Sequence, residues 1–273
     1  MYGMHAAQDK MFFSFCQWSL SLLLLLFTPF ISVFAENAVN PTARIPVLVY
    51  HNFNPTVPGS MNLTPERFKE QMQWIKDNHF TVIPLSQLVS FLQGKGNVLP
   101  PKSVVITADD GWESQYKYMV PIIREYHYPV TLFIYPSLIS KGSHSMTWEQ
   151  LQELQKTGEF DIQGHTLTHP NFKKAKKSLS ADDYAKFVEK ELTTSKKILE
   201  DKMDKSITLL AWPFGIYNDD LEQRAAKAGY VMAFTIDALP TKQSFNPMMQ
   251  PRYMIVAPQT MKMFAAIVNS SRQ

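Results

Sequence analysis

The sequence predicts a single α/β domain folded as a (β/α)-barrel, distorted and seven- or eight-stranded. Three observations predict it. The chain has 273 residues, 45% of them hydrophobic and 19% charged, which suits one large core that needs no disulfide staples. From Ile45 onward, short apolar runs alternate with longer amphipathic ones, the pattern of strands joined by helical crossovers. About eight such units over roughly 230 residues suit a barrel better than an open sheet.

The elements follow in order. Residues 1–35 carry Lys10 and then a run of Phe, Leu and Ile that closes on Val33-Phe34-Ala35, the small-residue pattern of a signal-peptidase site. Cleavage there would leave Glu36 first. An uncleaved membrane anchor is the alternative, because the run is nearly long enough to span a bilayer; either way the domain is expected to be exported, with membrane association through this segment. Cys16, the one cysteine, falls inside it, which removes thiol nucleophiles and thiolate metal ligands from the mature chemistry. Residues 36–44 read as a linker and 45–273 as the domain.

Strands are expected at Ile45–Tyr50, Phe80–Ile83, Ser103–Thr107, Val130–Tyr135, Phe160–Gln163, Thr208–Trp212, Val231–Ile236 and Arg252–Val256. Thr64 caps a helix running to Asn78, with Pro65 at its first position and Phe68, Met72 and Ile75 on one face. Further helices are expected at Leu85–Leu92, Glu113–Tyr126, Thr147–Gln155, Ser180–Lys202, Asn218–Lys227 and Thr260–Val268. The net charge of +3 is small and dispersed, with no basic face of the kind that nucleic acid requires.

Three polar clusters each follow an expected strand: Asp109-Asp110-Gly111, His165-Thr166-Leu167-Thr168-His169, and Pro213-Phe214-Gly215. Catalytic groups of such barrels gather at the C-terminal ends of the strands. Asp-Gly alone reads as a turn, and two histidines four apart are weak evidence alone. Together they supply a carboxylate and two imidazoles for a divalent ion, with a second carboxylate beside them, which is the equipment of metal-assisted hydrolysis.

On these residues the chain resembles the polysaccharide deacetylases of the NodB-homology, carbohydrate esterase family 4 group. Thr107-Ala108-Asp109-Asp110-Gly111 is similar to that family's Thr-Phe-Asp-Asp-Gly motif, with Ala108 in place of Phe. His165 to His169 matches its His-Ser/Thr-x-x-His motif, and Trp212-Pro213-Phe214-Gly215 resembles its Pro-Tyr/Phe-Gly motif. The resemblance implies that Asp110, His165 and His169 hold one divalent ion, zinc first and cobalt or nickel as alternatives. It implies that Asp109 is the general base and that the backbone N–H of Phe214 stabilises the oxyanion. The implied partner is an N-acetylated polysaccharide of the cell envelope or matrix, and the implied reaction is N-deacetylation. O-deacetylation of acetylated xylan and an inactive carbohydrate-binding role are the alternatives.

Two departures stand out. The family's Arg two residues before the motif proline is Ala211 here, and its late Leu-x-His is missing, since no histidine follows His169. Tyr50-His51 ends the first expected strand instead. First and last strands are neighbours in a closed barrel, so the chain resembles the circularly permuted poly-β-1,6-N-acetylglucosamine deacetylases of biofilm matrices, with His51 as the acid. By the same resemblance, Arg252 of Gln250-Pro251-Arg252 replaces the lost arginine and orients Asp109. Trp112, Pro213 and Tyr217 join the substrate-binding candidates, Trp112 being the preferred sugar contact, although single aromatics more often pack in the core. His79, His127 and His144 read as surface or satisfied histidines. Lys173, Lys174, Lys176 and Lys177 read as a solvated face, or as a grip on an anionic polymer.

Overall fold

The computed structural model describes residues 42–56, 59–95 and 98–271. The expected signal or anchor segment 1–35 and linker residues 36–41 lie outside the described residues. The strands are β1 (Val47–Tyr50), β2 (Asn52–Phe53), β3 (Asn62–Leu63), β4 (Thr81–Val82), β5 (Ser103–Asp110), β6 (Val130–Ile134), β7 (Phe160–Gly164), β8 (Leu209–Ala211), β9 (Met232–Phe234) and β10 (Tyr253–Met254). The helices are α1 (Pro65–Asp77), α2 (Leu85–Leu92), α3 (Val120–Tyr126), α4 (Trp148–Lys156), α5 (Phe172–Ser178), α6 (Ala181–Met203), α7 (Asp219–Lys227) and α8 (Met261–Val268). No described helix is long and apolar enough to cross a membrane.

The main sheet is parallel throughout and runs β10-β1-β5-β6-β7-β8-β9, with β4 paired to the start of β5. The first and last strands pair, Leu48 opposite Tyr253 and Val49 opposite Met254, as the permuted arrangement requires. Gln250, just before β10, bridges Phe234 at the end of β9, so one segment links the two ends of the curled sheet.

Side-chain alternation along the strands divides the core in two. Val47, Val105, Phe133, Leu209, Ala211, Met232 and Phe234 pack together with α2, which contributes Leu85, Leu88 and Phe91. Leu48, Val104, Ile106, Leu132, Ile162 and Leu210 pack on the other side with Phe68, Leu151, Leu192 and Phe264 from the helices. Both faces of β5 are covered, and all eight of its residues are buried. Val105, Thr107 and Asp109 therefore share a face, which carries Asp109 onto the inner side of the curl.

Several expected strands are shorter than the sequence reading, among them Val231–Ile236, which pairs only at Met232–Phe234, and Phe80–Ile83, which pairs only at Thr81–Val82; other departures are larger. The helix expected over Glu113–Tyr126 starts as a π-helical turn, Gln115–Met119, and becomes regular only from Val120. Pro121 lacks the N–H that a regular ladder would use there. The strand expected over Arg252–Val256 pairs only at Tyr253–Met254. The short pair β2 and β3 is too brief to show alternation in sequence. Helix α5, capped by the Asn171 side chain on Lys174 N–H, holds all four lysines after His169 and has no apolar period to announce it.

Candidate active site

Four strands deliver the site. β1 ends one residue before His51, β5 ends on Asp110, β7 ends one residue before His165, and β8 ends one residue before Trp212. Their C-terminal ends open on a cavity of about 360 Å³ lined by His51, Asp109, Asp110, His165, His169 and Phe214, among others.

Asp109 is fixed by Arg252. The guanidinium Nη1 donates to Oδ1 at 2.8 Å and Nη2 to Oδ2 at 2.7 Å, a bidentate fork. Arg252 is itself fully buried, donates through Nε to the Thr235 carbonyl and lies over the Phe133 ring. Burial pushes the Asp109 carboxyl up, but the charges of Arg252 and His165 and the Arg252 hydrogen bonds outweigh it and hold the pKa at about 2. Asp110, mainly through burial and then the charge of Asp109, is pushed up from the usual carboxylate range. Arg252 thus separates two adjacent carboxylates into a pinned anion and a second group left open to another cation.

Asp110 sits at φ +82°, followed by Gly111 at +95°. A β-carbon on Gly111 would stand 2.8 Å from Ile139, so only glycine fits the turn that swings Asp110 toward the cavity. The Trp112 indole N–H donates to Asp110 Oδ2 at 2.8 Å, leaving Oδ1 buried without a partner.

His165 Nδ1 lies 2.7 Å from the Ala211 carbonyl. A carbonyl only accepts, so Nδ1 carries the proton and the Nε2 lone pair faces the cavity. Burial pushes the His165 pKa down to about 3 and lowers that of His169, which keeps both rings neutral, the form that binds metal. Nε2 of each histidine stands 3.6 Å from Asp110 Oδ1, and the three donor atoms lie within 4.8 Å of one another. His165 Nε2, like Asp110 Oδ1, is buried and unpartnered. Buried polar atoms without partners are rare, and one carboxylate oxygen with two imidazole nitrogens facing one point fits a zinc-type ion.

The structure sorts the remaining candidates. His51 lines the cavity, and its Nδ1 is buried without a partner. Phe214 has a left-handed backbone (φ +56°), and its ring stands 4.5 Å from that of His169, centroid to centroid. Pro213 is buried behind it and does not line the cavity. Tyr217 donates to Asp237 and is also absent from the lining. Trp112 walls a neighbouring groove with Asn52, Asn54, Glu113 and His144. Gln115 was not legible in sequence: buried in the π-helical turn, its amide donates to the carbonyls of both His51 and Asp109, at 2.7 and 2.6 Å. Nothing distinguishes it in the sequence from a solvated helical glutamine.

The chain has relatives in sequence and in fold. A poly-β-1,6-N-acetyl-D-glucosamine N-deacetylase of Staphylococcus epidermidis is 30% identical over 179 residues, 64% of this chain and 61% of that protein. The matches span between 61% and 68% of the length of the curated relatives compared. In fold, the chain is similar to the Streptococcus pyogenes deacetylase PplD, with a TM-score of 0.74, 23% identity, and coverage of 84% of this chain and 99% of that one. It is similar also to IcaB from Ammonifex degensii, with a TM-score of 0.72, 21% identity, and coverage of 83% and 97%. The polysaccharide deacetylase sequence profile matches residues 96–233, which contain all three motifs. By that match, over half of its length, the chain belongs to the polysaccharide deacetylase family.

Proposed function

We propose that this chain is an exported, metal-dependent N-deacetylase of an N-acetylglucosamine polysaccharide, with a β-1,6-linked polymer as the leading substrate. The observation that carries the reading is the meeting of Asp110, His165 and His169 beside the Arg252-pinned Asp109. The staphylococcal relative's name gives the polymer class. The signal-like residues 1–35 support export.

Asp110, His165 and His169 would hold the ion, zinc by the character of its ligands. When bound, the ion supplies Lewis acidity to the acetamide carbonyl and lowers the pKa of water toward ~7. Asp109 takes the proton of the attacking water. The bidentate Arg252 fork keeps its carboxylate ionised and aimed for that transfer. By the family resemblance, the Phe214 N–H would stabilise the developing oxyanion. His51 gives a proton to the leaving amine, which departs poorly as an anion, and Gln115 ties the backbone of His51 to that of Asp109.

The test is acetate release from poly-β-1,6-N-acetylglucosamine, chitin oligomers, peptidoglycan and acetylxylan, with and without chelator. Chelator-sensitive release from the first polymer above the others is expected. Preferential release from acetylxylan would make the chain an O-deacetylase. No release from any polymer by metal-loaded protein would leave a carbohydrate-binding relative.

A further inference from the structure

Between the two ligand histidines lie Thr166, Leu167 and Thr168, and this loop is held from outside the site. Glu191, eleven residues into α6 and 2% exposed, turns its carboxylate onto it. Oε2 accepts from Leu167 N–H at 3.0 Å and from Thr168 N–H at 2.8 Å, and Oε1 accepts from the Thr168 hydroxyl at 2.7 Å. One turn further along α6, buried Ser195 donates to the Thr166 carbonyl at 2.8 Å. Each of the three residues joining His165 to His169 is therefore fastened to one face of a single helix.

The fastening has work to do. Thr166 and His169 both adopt left-handed backbone, at φ +65° and +54°, a conformation that non-glycine residues keep only when their surroundings impose it. Glu191 makes no ion pair with a cation among the described residues; three loop donors satisfy it instead. A buried carboxylate is costly unless its bonds are strong, and donors to an anion form the stronger, shorter kind. A serine or glutamine would satisfy fewer of these donors.

We infer that Glu191 is a positioning residue for the metal: its carboxylate presets the His165–His169 loop so that both imidazoles meet Asp110 before an ion arrives. The inference rests on reading Asp110, His165 and His169 as the ligand set. It predicts that loss of Glu191 weakens metal binding rather than merely loosening the fold.

The test compares wild-type full-length protein with Glu191→Gln and Glu191→Ala. Zinc affinity is measured by competition with a chromophoric chelator, and the visible spectrum is recorded after cobalt substitution. A Glu191→Ala affinity loss of about 10–100-fold is expected, the range for removal of a group that orients a ligand, with a smaller loss in Glu191→Gln. The cobalt spectrum should change in band position or intensity, and amide exchange at Leu167 and Thr168 should quicken in the metal-free protein. Thr168→Val removes one of the three bonds and keeps the test open if Glu191→Ala does not fold; a measurable affinity loss is expected there too. Wild-type zinc affinity and an unchanged cobalt spectrum in the folded variants would overturn the role of Glu191, whatever their melting temperatures. A wild-type chain that takes up no zinc would overturn the ligand set itself, and this inference with it.

Discussion

The two ends of the curled sheet carry cavities of opposite character. At the N-terminal end, an open cleft of about 530 Å³ is lined by β6, β7, the start of α2 and the Lys205 loop. Its charged groups are paired: Lys205 with Asp161, and Glu159 with His127, while Gln163 accepts from Thr208 and Leu209 N–H and donates to Asp161. The Gln155 amide oxygen is its one buried polar atom without a partner. At the C-terminal end the cavity is smaller, yet Asp110 Oδ1, His165 Nε2 and His51 Nδ1 all lack partners, and Asp110, His169 and Phe214 have left-handed backbones. Unsatisfied chemistry and stored strain, rather than volume, mark the functional end.

The contrast breaks first at the ligands. Replacing His165 or Asp110 by alanine should abolish zinc uptake and acetate release together while circular dichroism stays native, because each side chain closes a site rather than a core. Stoichiometric zinc in either variant would remove that residue from the ligand set. Next in size is Asp109→Asn. It should keep its metal and lose turnover by about 10²–10⁴, the usual scale of a positioned base. It leaves a buried guanidinium facing a neutral amide, so a fall in melting temperature should accompany the loss. Turnover near wild type would assign the base elsewhere.

His51→Ala should cost about 10²-fold or more on the acetamide and distinctly less on an activated acetyl ester, whose leaving group needs no proton. Metal content should be unchanged. Equal losses on both substrates would make His51 a binding or structural residue.

Much of this site was legible in the sequence because its residues cluster locally. Asp109-Asp110-Gly111, His165 to His169 and Pro213-Phe214-Gly215 each announce a strand end, and apolar runs place them on one mouth. Arg252 and His51 came through the permuted resemblance, since 143 residues separate Arg252 from Asp109 and no local pattern connects them. Gln115, Glu191 and the grip of Trp112 on Asp110 stayed hidden for a related reason. Their roles depend on which way a side chain leaves its helix or turn, and a buried hydrogen-bonding glutamine has the same letter as a solvated one. Helix α5 was missed because tertiary placement and an Asn171 cap, not an apolar stripe, hold it together.

The smallest effect belongs to the opposite end, and it sharpens the comparison most. Lys205 reaches Asp161 from the loop before β8, with side chains 25% and 37% exposed. A half-solvated pair of this kind is worth about 0–1 kcal/mol. Lys205 also donates to the Ile162 carbonyl, and Asp161 still holds Gln163, whose own oxygen caps two amides at the start of β8. Lys205→Met keeps the aliphatic stem and removes one charge, so the Asp161–Gln163 bond survives it. The melting temperature should fall by no more than about 4 °C, the shift that ~1 kcal/mol produces in a domain of this size. Zinc affinity and turnover should match wild type, because no bond to a ligand strand's C-terminal end is touched. A tenfold change in either would mean that the two ends of the sheet are coupled through β7, and the functional end would then extend the full length of the strand.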